Sequence, residues 1–255
     1  MFSAQQLCSL RFNQTVLNHD YLKLIDLPMK KLTGMLSLAA LAVGTLQAQD
    51  LSVTTTFAWE SSYVFRGDQL AEETFMPALD LSYGGAYAGI WAALPAGDDD
   101  PNEVDFYGGY GFAVSELVSG DVGFSYYTYP DSEDDFGDGA TFEIYGGVSF
   151  DVPLEPSLYL YYDFDLESFT AEGSLGHTYA VSEVSDVALS GYVGQVEPDE
   201  GDGYTYYGVT VSFDYTLNDA VSASAYVNWA GASEDLMSDG DSNEVWFGFS
   251  VSAGM

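Results

Sequence analysis

From Leu51 onward, apolar and polar residues alternate with a period of two in stretch after stretch. A β-strand turns successive side chains to opposite faces, so this pattern commits the chain to strands with two chemically different faces. Leu51, Val53, Phe57, Trp59, Tyr63 and Phe65 share one parity, and Ser52, Thr54, Thr56, Glu60 and Ser62 share the other. Val104, Phe106, Tyr110, Phe112 and Val114 repeat the pattern around Asp105. Val209, Val211, Phe213, Tyr215 and Leu217 repeat it around Thr210, Ser212 and Asp214. About twelve stretches read this way: 51–65, 73–83, 86–94, 103–114, 120–129, 140–150, 157–166, 168–180, 185–195, 204–217, 220–229 and 244–253. Most are near the roughly 9–11 residues that a tilted strand needs to cross a bilayer. Strands of soluble proteins are nearer about 5–6.

The connections alternate too. Gly84-Gly85, 115–119, 151–156, 181–184 and Asn218-Asp219 are short. "GDQLAEE", "PAGDDDPN", "PDSEDDFGDG", "VEPDEGDG" and "AGASEDLMSDGDSN" are mostly longer and acidic, and only the link after 157–166 breaks the rule. Short turns at one end and long loops at the other describe an outer-membrane barrel. Trp59, Tyr63, Trp91, Tyr129, Trp229 and Trp246 fall at or near the long-loop ends, where barrels carry an aromatic girdle. Glu60, Asp80, Asp105, Glu143, Asp163 and Asp214 all lie on the polar parity of their stretches. A charge facing lipid is expensive and one facing a wet lumen is cheap, so these carboxylates are lumen candidates. Hydrocarbon tolerates no open sheet edge, so the sheet must close. The expected fold is all-β: an antiparallel up-and-down transmembrane barrel of about twelve strands.

The N-terminus fits an exported chain. Met29 to Ala48 has two lysines, an apolar run and a small residue, the layout of a cleavable signal peptide. Residues 1–28 then have no place in a fold and read as a start assigned too early, which leaves 49–255 as the barrel. The formal net charge of −35 excludes a nucleic-acid binder. Four of the five basic residues precede position 32, and the single cysteine is Cys8, so disulfides play no part in the barrel.

The fifth basic residue is Arg66, in "SSYVFRG". It continues the polar parity of Glu60 and Ser62 at the start of the first long loop. The expected role is a structural clasp inside the barrel mouth, its guanidinium forked onto carboxylates of the second or last strand. Contact with a solute, or an ordinary surface position, are the alternatives.

"SSYVFRG", "PALDLSYGGAYAGIWA", "EVDFYGGYGF" and "FSYYTYP" resemble the TorF family, whose members are assigned as porins of poorly characterised function. Ser61, Tyr63, Arg66 and Gly67 match its early strand end; Tyr87, Gly89, Trp91 and Ala92 match its next motif. Glu103, Asp105, Tyr107, Gly109 and Tyr110 match the third, and Tyr127, Tyr129 and Pro130 the last. The likeness covers roughly 51–150. It implies an outer-membrane barrel and supplies no catalytic residues.

His177, in "SLGHTYA", shares parity with Phe169 and Leu175, which directs it to lipid or an interface rather than to catalysis, so no enzyme is expected. No cofactor is expected either. The acidic loops read as solvated charge, with weak Ca²⁺ or Mg²⁺ binding as the alternative; "DGDSNE" and "DDFGDG" are only fragments of a calcium loop. The expected function is passage of small solutes with a preference for cations, with outer-membrane lipid and the barrel-assembly machinery as partners. Twelve strands lie between filled and open barrels, so either a narrow channel or a bore closed by tyrosines such as Tyr107, Tyr145 and Tyr161 is expected. An acidic surface-binding barrel and a secreted β-sandwich are the competing readings.

Overall fold

The computed structural model describes residues 51–97, 100–131, 139–237 and 240–255. The expected signal peptide at 29–48, residues 1–28 and the acidic run 132–138 lie outside the described residues. In chain order the strands are β1 (Leu51–Glu60), β2 (Tyr63–Phe65), β3 (Asp68–Ala71), β4 (Thr74–Tyr83), β5 (Ala86–Pro95), β6 (Glu103–Ser115) and β7 (Val118–Thr128). They continue as β8 (Thr141–Phe150), β9 (Ser157–Asp163), β10 (Ser168–Ala180), β11 (Ser185–Pro198), β12 (Tyr204–Asn218), β13 (Val221–Ala232) and β14 (Asn243–Gly254). Twelve of these form one closed antiparallel barrel in which each strand pairs with its chain neighbours, β1 pairs with β4, and β1 closes on β14.

Closure runs from Thr54↔Gly254 to Glu60↔Gly248, and Val53 and Met255 exchange backbone bonds of 2.9 and 3.0 Å beyond it. The apolar parity faces outward all the way round. Phe57, Leu79, Ile90, Phe124, Ile144, Leu160, Val211 and Phe249 are among the large side chains left exposed there. A closed sheet with a greasy exterior has no second sheet to pack against, which removes the sandwich reading.

The inner face is built on a repeated pair. Tyr107 lies opposite Gly89, Tyr87 opposite Gly109, and Tyr145 opposite Gly123. Tyr159 opposes Gly147, Tyr206 opposes Gly194, Tyr192 opposes Gly208, and Tyr226 opposes Gly248. In each pair the ring covers the bare backbone of its cross-strand glycine so closely that an added Cβ would collide with it. Glycine weakens a strand interior by exposing backbone, and an aromatic ring laid over it restores the cover. The pairs also bring seven phenols down onto the barrel wall.

One predicted stretch is not a single strand. The strand expected over 51–65 is interrupted at Ser61-Ser62; β1 ends at Glu60, and β2 pairs with β3 as a separate two-stranded hairpin. Ser61 N–H still donates to the Phe247 carbonyl (3.0 Å) on β14, while Ser62 Oγ turns to Glu244 Oε2 (2.9 Å). The chain therefore leaves the wall here and folds inward.

Adjacent glycines on β8 test this inner packing. Gly147 lies under the Tyr159 ring, whereas Gly146 faces outward with its nearest neighbours 3.7 Å from an added Cβ. Gly147→Val should cost about 1–3 kcal/mol and lower the temperature at which the barrel loses its heat-modifiable migration. Gly146→Val should leave that temperature nearly unchanged.

Candidate functional site

The β2–β3 hairpin spans the long-loop end of the bore. Its two-residue turn is Arg66-Gly67, with φ of 50° and 79°. Positive φ at both central residues is what a type I′ hairpin demands, and it strongly prefers Asn or Gly there. An arginine held in that region costs about 1–2 kcal/mol, so its head group must repay the strain. At the neighbouring tip, a Cβ on Gly67 would fall 2.8 Å from Tyr206 Cβ and 3.0 Å from the Gly231 carbonyl oxygen, so the turn touches β12 and β13.

From there the Arg66 side chain reaches the opposite wall. Its two terminal nitrogens fork onto Glu143 of β8, at 2.7 and 3.1 Å. Its guanidinium lies over the Tyr161 ring at 4.6 Å and over Phe65 at 4.8 Å. Tyr127 donates to the same Glu143 at 3.0 Å. The clasp thus joins Arg66 to β8 and β9, not to the second or last strand. The rest of the hairpin is gripped as well. Tyr63 packs on Trp91 with ring centroids 5.5 Å apart and donates to Glu103 Oε2 (3.0 Å). Val64 packs with Ala230, Met237 and Trp246, and Gln69 N–H donates to the Leu236 carbonyl at 3.1 Å.

All seven lumen candidates stand on or over the inner face. Glu60, wholly buried, accepts from the Trp246 indole N–H (2.7 Å) and the Tyr226 hydroxyl (2.8 Å). Asp80 accepts from Tyr107. Asp163, on β9, pairs across to Glu143 and caps the next turn through the N–H groups of Asp165 and Leu166, both 2.9 Å. Asp214 faces Asp186 near the short-turn end, where it accepts from Ser212 at 2.7 Å. Asp105 is buried, and its Oδ1 has no hydrogen-bond partner. Sequence reasoning missed further inner acids, among them Asp186 opposite Asp214. Of the others, Glu103 accepts from Tyr63, Asp121 from Tyr87 (2.9 Å), and Glu172 from Tyr206 (2.8 Å). Their parity, shared with Asp105, Gly109 and the tyrosines, was the available signal.

Glu60, Asp80, Glu103, Asp121, Glu143 and Glu172 accept from phenols or an indole, and among the described residues only Glu143 meets a cation. Phenol donors satisfy the carboxyl oxygens without supplying a counter-charge. Tyr107, Tyr145 and Tyr161 are inner and buried, and Tyr87 and Tyr145 share a hydrogen bond of 2.5 Å over the β6–β7 wall, where Gly109 pairs with Gly123. The long-loop half is therefore packed with hairpin, aromatic rings and acids. The other half is lined by small residues left partly open, among them Ser52, Thr54, Ser82, Ser222 and Ser252.

The expected girdle is corrected by these orientations. Trp59 and Trp229 do face outward, where Trp59 meets Phe247 and Phe249 at 5.7 and 5.5 Å and Trp229 meets Tyr207 at 5.4 Å. Trp91 and Trp246 lie on the inner parity and are buried, Tyr63 belongs to the inward hairpin, and Tyr129 follows the inner parity of β7. Position near a strand end was readable; the face was not, because the polar parity also carries aromatics. His177 lies opposite Leu189 on the outer parity of β10, with its ring edge-on to Tyr179 at 4.4 Å. Among the described residues no group of three His, Cys, Asp or Glu side chains is set to hold a metal ion.

A family model described as a bacterial protein of unknown function, Gcw_chp, matches residues 47–239. The chain belongs to that family. No curated protein matches this Gcw_chp chain in sequence. Its fold is similar to that of KdgM porin (TM-score 0.54, 11% identity, covering 79% of this chain and 98% of that one). It is also similar to NanC porin (TM-score 0.52, 11% identity, 79% and 98%) and to a KdgM porin in complex with disordered oligogalacturonate (TM-score 0.52, 11% identity, 79% and 98%). The Gcw_chp barrel thus has a porin-like fold, and its uncharged, greasy outer belt makes it an outer-membrane barrel.

Removing one partner of the clasp should be costly. Arg66→Ala leaves Glu143, 1% exposed, without its counter-charge and should destabilise the barrel by about 3 kcal/mol, read by urea unfolding in detergent. Replacing both partners with apolar residues (Arg66→Met with Glu143→Leu) should recover most of that loss.

Proposed function

We propose that this barrel passes small solutes across the outer membrane with a preference for cations. The observation that carries the reading is the charge of the inner face. Glu60, Asp80, Asp105, Asp121, Glu172 and Asp214 all point inward, against a single guanidinium that Glu143 already neutralises. A bore of this sign concentrates cations and repels anions. The resemblance to the TorF porins supports the transport half of the proposal. Oligogalacturonate, found with the KdgM porin, is a polyanion; a carboxylate-lined bore is the wrong sign for it.

Conduction requires the packed long-loop half to rearrange, since the hairpin fills it. The narrow path then runs between the hairpin and the tyrosine wall into the serine-lined half, with the assembly machinery and membrane lipid as the barrel's partners in the cell.

Reversal potentials across a planar bilayer under a salt gradient test the reading. The expected sign is that of potassium over chloride. Asp186→Asn with Asp214→Asn, at the wetter end, should reduce the preference without altering heat-modifiable migration. Chloride selectivity, or a barrel that never conducts, would remove the proposal.

A further inference from the structure

The Arg66 head group has the surroundings of a bound ligand. A carboxylate forks onto two of its nitrogens, a phenol ring lies under its plane, and a second phenol, Tyr127, fixes the carboxylate. That is the chemistry by which proteins recognise free organic cations. Here the cation is tethered, on a turn whose arginine holds a left-handed backbone angle.

Lifting the hairpin would strip this region of its cation and of the Tyr63 donor, leaving Tyr127 on Glu143. Glu143 would lose Arg66 and Glu103 would lose Tyr63. Asp105 already has one carboxylate oxygen buried with no partner; it faces Tyr127 across β6–β7, and Ser125 two residues along faces Glu143 across β7–β8. Three carboxylates would then share one side of the bore with no cation among them. Such a deficit keeps the hairpin down unless another cation takes the vacated position.

We propose that the β2–β3 hairpin is a displaceable plug, and that the wall site of Glu143, Tyr161 and Tyr127, with Glu103 and Asp105 beside it, binds organic cations of the guanidinium or primary-amine class for which Arg66 is the built-in surrogate. This deepens the cation-channel reading and rests on it. The solute that fits the site opens the bore by replacing the residue that closes it.

Agmatine, which carries a guanidinium and an amine, is the probe. In a Cys8→Ser background, Val64→Cys puts a thiol on the buried face of the hairpin. Its labelling by a charged maleimide should accelerate about tenfold with agmatine and not with sodium chloride of equal ionic strength. By calorimetry in detergent, Arg66→Ala should bind agmatine at least about tenfold more tightly than the unaltered barrel, and adding Glu143→Gln should abolish the gain. Heat-modifiable migration checks that each variant is folded, and the labelling arm keeps Arg66 in place should Arg66→Ala fail to fold. Labelling indifferent to agmatine, or affinity unchanged by Arg66→Ala, overturns the proposal. Cation-selective conductance with neither agmatine effect overturns the surrogate site alone, whereas anion selectivity overturns the channel reading beneath it.

Discussion

A peptide group left unpaired in hydrocarbon costs several kcal/mol, and that penalty organises this protein. It forces β1 onto β14 and keeps the pairing going to Val53 and Met255. It also explains how so many glycines survive inside strands. Tyr159 over Gly147 and Tyr206 over Gly194 cover backbone that would otherwise stand open to the bore. A ring lying flat on the wall takes less of the bore than one standing upright, so the same device that protects the backbone sets the width of the lumen.

The tyrosines have a second consequence. Their hydroxyls end beside carboxylates: Tyr107 at Asp80, Tyr87 at Asp121, Tyr206 at Glu172, Tyr226 at Glu60. A neutral donor satisfies a buried oxygen without cancelling its charge. The interior can therefore be densely hydrogen bonded and rich in carboxyl groups at once. Arg66 is the exception among the described residues, and it places its ion pair with Glu143 at the tip of an inward hairpin that fills the bore.

Much of this was legible in one dimension. The alternation around Asp105, Glu143 and Asp214 gave the two faces, and the segregation of short turns such as Gly84-Gly85 from long acidic loops gave the up-and-down order. Trp91 and Trp246 show where reading failed. Both are large and near strand ends, as a lipid girdle requires, yet their parity is that of Gly89 and Gly248, which face in. Composition suggested lipid and register decided for the lumen. The hairpin escaped notice because 51–65 alternates throughout, and a bend at Ser61-Ser62 leaves no mark on hydrophobic periodicity. The Arg66-Gly67 pair was visible as a tight bend, not as a turn aimed inward.

The sequence by itself determined that strands would cross a bilayer with an oily exterior and an acidic interior, because side-chain period and the cost of charge in lipid are local facts. Which acid meets which donor was decided only by closure. Arg66 and Glu143 are 77 residues apart, and Glu60 and Trp246 are 186 apart. No pattern along the chain announces contacts that exist only once the sheet has curled round and its first long loop has dropped into the space it encloses.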